Sequence, residues 1–293
     1  MNKINIMALR HSAFYSPLLV TMAGGFLEEQ GLEAHYEPAS PEKTVPDSLH
    51  NGSAHLAQSA VATSFPQLEK GEQCDIVHFA KINERDGFFL ASRNANDNFH
   101  WQDLIGQEVL VDHFFQPMAM FRYALYKLGI NEQEINIIDA GSVEQIDLAF
   151  RHGKGDYVHQ QGPFPQQLEQ DGVGYVVASV GDAVGPVAFS SLCARREWLK
   201  TDMAKAFMKA YRQACQYVLQ TSAGELAQQL KGYFPKIDIE VLTNTIGTYQ
   251  KLGCWTPEPA ISRESYENLL EVFTYNKLIT REHDMGLCVV DPP

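Results

Sequence analysis

Side chains that can stack on a ligand or hydrogen-bond to it are concentrated in four short stretches of this 293-residue chain, at 11–16, 58–60, 112–116 and 159–162. Aromatic, histidine and neutral polar residues dominate these stretches, whereas arginine and lysine are nearly absent, Arg10 being the exception. Rings and amides of this kind suit a flat, conjugated or heterocyclic ligand better than a bare oxyanion. The candidate ligand-binding residues are His11, Phe14, Tyr15, Gln58, Ser59, His113, Phe114, Phe115, His159 and Gln161.

Each stretch follows a segment that its apolar pattern predicts to be a β-strand, and helical patterns alternate with these strands. Alternation of this kind predicts parallel sheets, whose strands end at a shared edge. Ser16 and Pro17 are typical of a helix start, and we expect the first helix to continue to Gly31. Two of the four stretches open helices and so direct free backbone N–H groups towards a common cleft.

The order of the elements predicts an α/β protein of two lobes. Lobe 1 comprises residues 1–85 and 185–293, and lobe 2 comprises residues 86–184. We expect a two-segment hinge near 83–88 and 181–187, where turn-forming residues cluster. Amphipathic patterns fill the chain beyond residue 200, so the C-terminal third should be helical.

Composition narrows the range of partners. Acidic residues outnumber basic ones by 36 to 23, a formal net charge of −13, which argues against nucleic acid or an anionic membrane as a partner. No apolar run approaches the length of a membrane-spanning helix, so we expect no direct membrane insertion. Because Met1–Lys3 leads directly into a strand-like segment, we expect a cytoplasmic protein, or a periplasmic one if this is a mature form.

The cysteines form no metal or redox motif, because none of them is paired at Cys-x-x-Cys spacing. We expect them to be small buried residues in a reducing compartment. Three histidines from different turns could meet at a metal ion, but no short-spaced pair supports this, and we expect neither metal nor cofactor. The five cysteines are Cys74, Cys193, Cys215, Cys254 and Cys288.

The first lobe also carries recognisable motifs. A helix end that reads GGFLEEQGLEAHYEPA is followed by the strand NGSAHLAQSA. The chain therefore resembles the SsuA/THI5/NMT1-like family of type II periplasmic solute-binding proteins. In lobe 2, a family pattern before the first strand is matched by Asp103, Leu104, Gly106 and Val109. The matching positions in lobe 1 are Gly25, Phe26, Gly31, Leu32, Gly52, Ala54 and Ala57.

This resemblance implies a binding protein that closes on a small molecule by a hinge motion. Together with the aromatic turns, it suggests a pyrimidine or another small aromatic metabolite of the thiamine-precursor type. A nitrate- or sulfonate-type binder is the alternative within the family. The implied partner is the permease of an ABC transporter, or a regulatory protein if the chain is a ligand sensor.

The fold also hosts enzymes, and the resembled family includes a pyrimidine synthase of thiamine biosynthesis. Its pyrimidine synthase supplies a lysine and a histidine at positions that correspond here to Gln58 and Ala62, and its cysteine cluster is reduced to Cys193. A related desulfinase uses a cysteine in the turn after the first strand, where this chain has Ser12. These departures argue against both activities.

Other interpretations of the same residues remain open. A cytoplasmic lyase or hydrolase acting on an aromatic acid would use His11, His113 or His159 as general base. Phe14 and Phe115 could instead fill the core. His11 and His113 could be solvated turn residues, and His159 could be a structural residue of its strand.

Overall fold

The computed structural model describes residues 1–293 and contains ten strands and eleven α-helices. The strands are β1 (Asn2–Ala8), β2 (Leu32–Pro38), β3 (Leu56–Ser59), β4 (Ile76–Asn83), β5 (Phe88–Ser92), β6 (Glu108–Val111), β7 (Asn136–Ile138), β8 (Tyr157–Gln161), β9 (Tyr175–Ser179) and β10 (Ser190–Arg195). The helices are α1 (Ser16–Ala23), α2 (Val45–His50), α3 (Phe65–Glu69), α4 (Phe115–Lys127), α5 (Val143–Arg151), α6 (Phe164–Gln170), α7 (Val180–Val184), α8 (Asp202–Gln220), α9 (Ala223–Leu230), α10 (Ile239–Lys251) and α11 (Arg263–Tyr275).

The strands form two five-stranded sheets, one in each lobe. The first sheet has the order β2-β1-β3-β10-β4 and the second has the order β7-β6-β8-β5-β9. The chain passes between the sheets twice, from β4 to β5 and from β9 through α7 to β10. The predicted two-lobed α/β fold with a helical C-terminal third is confirmed. The predicted lobe limits at 85/86 and 184/185 lie within the two crossings.

The sheets are mixed rather than parallel, and here the sequence-based prediction was wrong. β10 is antiparallel to β3 and β4, and β5 is antiparallel to β8 and β9. These are the two strands with which the chain enters a sheet after a crossing, so each runs against its neighbours. The start of each reversed strand consequently lies at the same sheet edge as the carboxyl ends of the others.

The first helix is shorter than predicted. α1 ends at Ala23, where two successive glycines disfavour further helix. Gly25 has φ 79°, in the left-handed region that favours glycine, and a separate 3₁₀ turn precedes Gly31. No side chain caps α1, and Ser12 instead caps the 3₁₀ turn Ala13–Tyr15 that precedes it. The hydroxyl of Ser12 accepts the Phe14 N–H at 3.1 Å.

The largest core cluster is continuous across the crossings. It joins residues of the first sheet and the C-terminal helices to Phe88 and Phe89 of β5 and to Met120 of α4. Burial of this apolar surface, at about 25 cal/mol per Å², holds the two lobes together around the cleft. None of the helices combines the length and apolar character that crossing a membrane requires.

Replacing Gly181 with alanine is expected to lower the free energy of unfolding by about 1–3 kcal/mol, because the added methyl group overfills a packed contact. A Cβ at Gly181 would lie 2.3 Å from the carbonyl oxygen of Asp86, so the two crossings would have to separate. Urea unfolding measures this loss. The control is Gly224→Ala in α9, where a Cβ meets nothing within 4 Å. Equal midpoints for the two variants would contradict the prediction.

Candidate functional site

A small cavity, here called the inner cavity, lies between the two sheets and has a volume of about 40 Å³. This is well below the roughly 150 Å³ of a protein cavity that binds benzene. Aromatic rings and amides dominate its wall, and Arg10 is the only lysine or arginine in it. The rings and amides are those of Tyr15, Phe88, Phe114, Phe115, Phe189, Gln58, Gln116 and Gln161.

The strand directions explain why these residues meet. Gln58 lies in β3 near its carboxyl end, Gln161 is the last residue of β8, and Phe114 follows β6. Phe88 and Phe189 come instead from the two reversed strands, at the first residue of β5 and just before β10. Both kinds of strand end therefore supply side chains to one edge.

A larger, more open space, here called the outer cleft, adjoins the inner cavity and has a volume of about 670 Å³. The two spaces share Leu9, Arg10, Phe114 and Gln161 as lining residues. These four side chains therefore stand between the inner cavity and the wider entrance. Any ligand that reaches the inner cavity from the outer cleft has to pass them.

An ion pair joins the lobes at this boundary. The Arg10 guanidinium donates to both carboxylate oxygens of Asp112, at 2.7 and 3.3 Å, and lies 4.6 Å from the centre of the Phe114 ring. Bidentate pairs of this kind are among the stronger and more directional charge contacts. Asp112 also accepts the Phe114 N–H at 2.9 Å, which fixes the turn that opens α4. The positive charge of the cavity wall is thus already balanced.

Two further hydrogen bonds join the lobes across the cleft. The Ser12 hydroxyl donates to the carbonyl of Gly162 at 2.7 Å, and the Gln116 amide donates to the carbonyl of Phe189 at 3.0 Å. Each bond connects a residue of one lobe to a residue of the other. The two lobes are therefore in direct contact beside the inner cavity.

The ten candidate residues fall into three groups. Five candidates line the inner cavity, namely Tyr15, Gln58, Phe114, Phe115 and Gln161. Two candidates line only the outer cleft, namely His11 and His113. The remaining three candidates line neither space, namely Phe14, Ser59 and His159.

His11 is held by lobe 1 itself. Its ring stacks on Phe234 at a centroid distance of 4.6 Å. Both ring nitrogens have partners at 2.9 Å, the hydroxyl of Tyr36 and the carbonyl of Tyr233. Burial lowers the pKa of this histidine. The ring therefore has a structural role on the wall of the outer cleft.

Phe14 is fully buried in the core, as one of the alternative interpretations held. Its ring lies 4.8 Å from that of Tyr249 and 5.6 Å from that of Phe189. Ser59 is also buried, with its hydroxyl oxygen 3.3 Å from that of Thr63. Phe14 thus supports the aromatic wall from behind.

His159 is enclosed between two aromatic rings, Phe88 at 4.6 Å and Phe121 at 5.2 Å between centroids. Neither ring nitrogen has a hydrogen-bond partner, and burial lowers its pKa to about 3. The three candidate histidines do not form a cluster. No group of three histidine, cysteine, aspartate or glutamate side chains is placed to hold a metal ion.

Sequence reasoning missed several lining residues. Phe88, Phe189 and Ser190 belong to the starts of reversed strands, which a prediction of parallel sheets places at the opposite edge. Gln116 lies one residue beyond the last candidate of its turn. Asp112 was not among the candidate residues, although its charge is opposite to that of Arg10, the single basic residue beside the four stretches.

Two mixed sheets, two crossings and a cleft at the crossings define the two-lobed periplasmic-binding-protein fold. Solved structures share it at low identity. One is the ligand-binding component of an ABC-type import system from Staphylococcus aureus, solved with zinc bound (15% identity, TM-score 0.77, 99% of this chain and 97% of that one). Another is the alkanesulfonate-binding protein SsuA of Xanthomonas axonopodis pv. citri, bound to MOPS (16% identity, TM-score 0.74, 99% of each chain).

The chain belongs to the NMT1/THI5-like family, whose model matches residues 13–224. This confirms the resemblance carried by the motifs of the first lobe. A relative in Bacillus subtilis (strain 168), named "Putative binding protein YtlA", is 29% identical over 297 residues, which cover 96% of this chain and 89% of the relative.

Proposed function

We propose that the protein is a solute-binding protein that holds a small aromatic, pyrimidine-like metabolite between its lobes. The observation that carries this proposal is the inner cavity, whose wall consists mainly of aromatic rings and amides. Flat heterocycles gain from such walls through stacking, and amides supply the hydrogen bonds that orient them.

The charge of the wall supports a ligand without a strong negative charge. Arg10 is the only lysine or arginine of the inner cavity, and both of its Nη atoms are occupied by Asp112. An anionic solute would have to displace this carboxylate or accept its repulsion. A neutral heterocycle faces neither cost.

The size of the inner cavity supports binding coupled to movement. A volume of about 40 Å³ does not admit a six-membered ring with substituents. The solute must therefore enter while the lobes are apart or while Phe114 and Arg10 are displaced, and closure then buries it. A bound ring would have to keep an exposed wall side chain such as Phe114 displaced, so that the contacts from Ser12 to Gly162 and from Gln116 to Phe189 can still form around it.

An oxyanion is the second candidate ligand, and Arg10 is the observation that favours it. The SsuA protein of Xanthomonas is described as an alkanesulfonate-binding protein bound to MOPS, which is a sulfonate. An arginine freed from its carboxylate could hold such a group by charge-assisted hydrogen bonds. The state of the Arg10–Asp112 pair therefore separates the two ligand classes.

The proposed partner is the permease of an ABC transporter. This follows from the Staphylococcus aureus structure, which is described as the ligand-binding component of an ABC-type import system. The strong net negative charge of −13 makes a surface with positive charge the natural counterpart.

The purified chain is expected to bind 4-amino-5-hydroxymethyl-2-methylpyrimidine with a dissociation constant near or below 1 µM, about −8 kcal/mol. Titration calorimetry measures the affinity. Mass spectrometry of the recovered compound shows whether it leaves unchanged, as a binding protein requires. Ethanesulfonate and nitrate serve as comparison ligands. Tight binding of ethanesulfonate with no binding of any pyrimidine would overturn the proposed ligand class, and conversion of the compound would favour an enzyme.

A further inference from the structure

Two glutamines of the inner cavity carry amide atoms without partners. The Oε1 of Gln116 and the Nε2 of Gln161 have no hydrogen-bond partner, although each residue is only 5% exposed. Both residues line the inner cavity. A buried polar atom left unpaired is unfavourable, so such atoms in a cavity wall indicate where a ligand hydrogen-bonds.

The orientation of the Gln116 amide follows from its neighbour. Its Nε2 lies 3.0 Å from the carbonyl oxygen of Phe189, and a carbonyl oxygen can only accept a hydrogen bond. The NH₂ group must therefore face Phe189, which leaves the amide oxygen as the free atom. Gln116 consequently offers an acceptor to the cavity.

Gln161 can offer the complementary group, because its Nε2 has no partner and no hydrogen bond fixes the orientation of its amide, which is free to turn the NH₂ donor towards a ligand. A third amide in the same wall shows the contrast. Gln58 accepts the Arg10 N–H at 3.1 Å and donates to the carbonyl of Ser59 at 3.3 Å, so both of its polar atoms are engaged. Only two of the three amides have an atom left for a ligand.

We propose that Gln116 and Gln161 together recognise one edge of a heterocycle that presents a hydrogen-bond donor beside an acceptor, as an aminopyrimidine does. The exocyclic amine would donate to Gln116 Oε1, and the ring nitrogen would accept from Gln161 Nε2. A sulfonate or nitrate has only acceptors, and it would set an oxygen against the Gln116 oxygen. This inference rests on the proposed function and names the feature of the ligand that the site selects.

The test removes the ligand's amine donor and, separately, the Gln116 oxygen that would accept from it, as in a double-mutant cycle. The probes are 4-amino-2-methylpyrimidine and 2,4-dimethylpyrimidine, which has a methyl group in place of the amine. The unaltered chain is expected to prefer the amine by about tenfold or more. Gln116→Met, which keeps the length of the side chain, is expected to reduce this preference to about twofold or less.

The acceptor of the ligand is tested in the same way with 3-methylaniline, which keeps the amine and the methyl group, has CH in place of both ring nitrogens and is uncharged at pH 7, as the pyrimidine is. Gln161→Met is expected to abolish the preference for the pyrimidine over such an analogue. The matched control is Gln133→Met, at an exposed position outside both cavities. It should retain both preferences of the unaltered chain.

The outcomes separate this inference from the proposed function. If the aminopyrimidine binds and Gln116→Met retains the preference for the amine, the inference is wrong although the function stands. If no pyrimidine binds the unaltered chain, both are wrong. Circular dichroism and unfolding midpoints show whether each variant is folded. An unfolded Gln116→Met is replaced by Gln116→Leu, for which the same loss of preference is expected.

Discussion

A chain in which asparagine replaces Asp112 is expected to bind ethanesulfonate at least about tenfold more tightly than the unaltered chain. Asp112 occupies both Nη atoms of Arg10, at 2.7 and 3.3 Å. Asparagine carries no charge and has one oxygen, so it leaves the guanidinium free to donate to a sulfonate. A hydrogen bond to a charged group contributes about 1.5–3 kcal/mol, which corresponds to an affinity gain of tenfold or more.

The asparagine variant preserves the local backbone. One carboxylate oxygen of Asp112 accepts the Phe114 N–H at 2.9 Å, and the amide oxygen of asparagine can accept the same bond. Asp139→Asn is the matched control because it makes the same change in net charge. Asp139 lines the outer cleft and lies 4.0 Å from His113, not against Arg10.

Calorimetry at low and at physiological salt measures these affinities. Salt screens the attraction between the freed Arg10 guanidinium and the sulfonate, so the gain in affinity should be smaller at physiological salt. An equal ethanesulfonate affinity in the unaltered chain and both variants would show that the Arg10–Asp112 pair does not control ligand charge. Tight sulfonate binding by the unaltered chain would contradict the prediction more directly. It would mean that the anion displaces the carboxylate without help.

The sequence predicted those side chains of the cavity wall that lie at strand-to-helix turns. Tyr15, Gln58, Phe114 and Gln161 all follow or end strands, and the rule that parallel strands end at one edge brings them together. That rule depends only on local patterns of apolar and turn-forming residues, which are visible in a single sequence. It therefore located these side chains without any knowledge of the crossings.

The rest of the wall depends on strand direction, which local patterns do not encode. Phe88 and Phe189 line the cavity because β5 and β10 run against their neighbours. Direction is decided by where the chain crosses between the sheets, a long-range property. The same limit applies to Arg10 and Asp112, which are 102 residues apart and meet across the two lobes.

Neighbouring aromatic residues also received different environments that composition does not distinguish. Phe14 faces the core because the 3₁₀ turn Ala13–Tyr15 places it against Gly87, where a Cβ would lie 2.6 Å from the Phe14 ring. Tyr15, the next residue, lines the inner cavity. One residue of helical rotation thus separates a core side chain from a candidate ligand contact.

Replacing His159 with leucine is expected to make the fold less sensitive to acid. Burial lowers the pKa of His159 from 6.5 to about 3. Between these pH values the unfolded chain takes up a proton that the folded chain does not, so the free energy of unfolding falls as the pH falls. One pKa unit corresponds to about 1.4 kcal/mol. Between pH 7 and pH 5 the free energy of unfolding of the unaltered chain should therefore fall by about 2 kcal/mol more than that of the variant.

His78→Leu is the matched control, since burial also lowers the pKa of His78 to about 3. Its ring nitrogens contact the hydroxyls of Ser64 and Ser191 at 3.2 and 2.8 Å, and leucine would leave both buried hydroxyls unpaired. His78→Leu should therefore destabilise the fold at pH 7 by about 1–3 kcal/mol for each hydroxyl, whereas His159→Leu, which removes two unpaired nitrogens, should not.

Another buried group acts in the opposite direction, and comparison between variants removes its contribution. Burial raises the pKa of Asp86 to about 8, so its contribution to the free energy of unfolding falls as the pH rises from about 4 towards 8. Asp86 is present in both the unaltered chain and His159→Leu. Urea unfolding at pH 5, 6 and 7 gives the free energy of unfolding of each, and the contribution of Asp86 cancels in the difference between the two chains. A difference that stays constant over this range would mean that the enclosed ring titrates as it does in the unfolded chain. Water would then reach the His159 ring between Phe88 and Phe121.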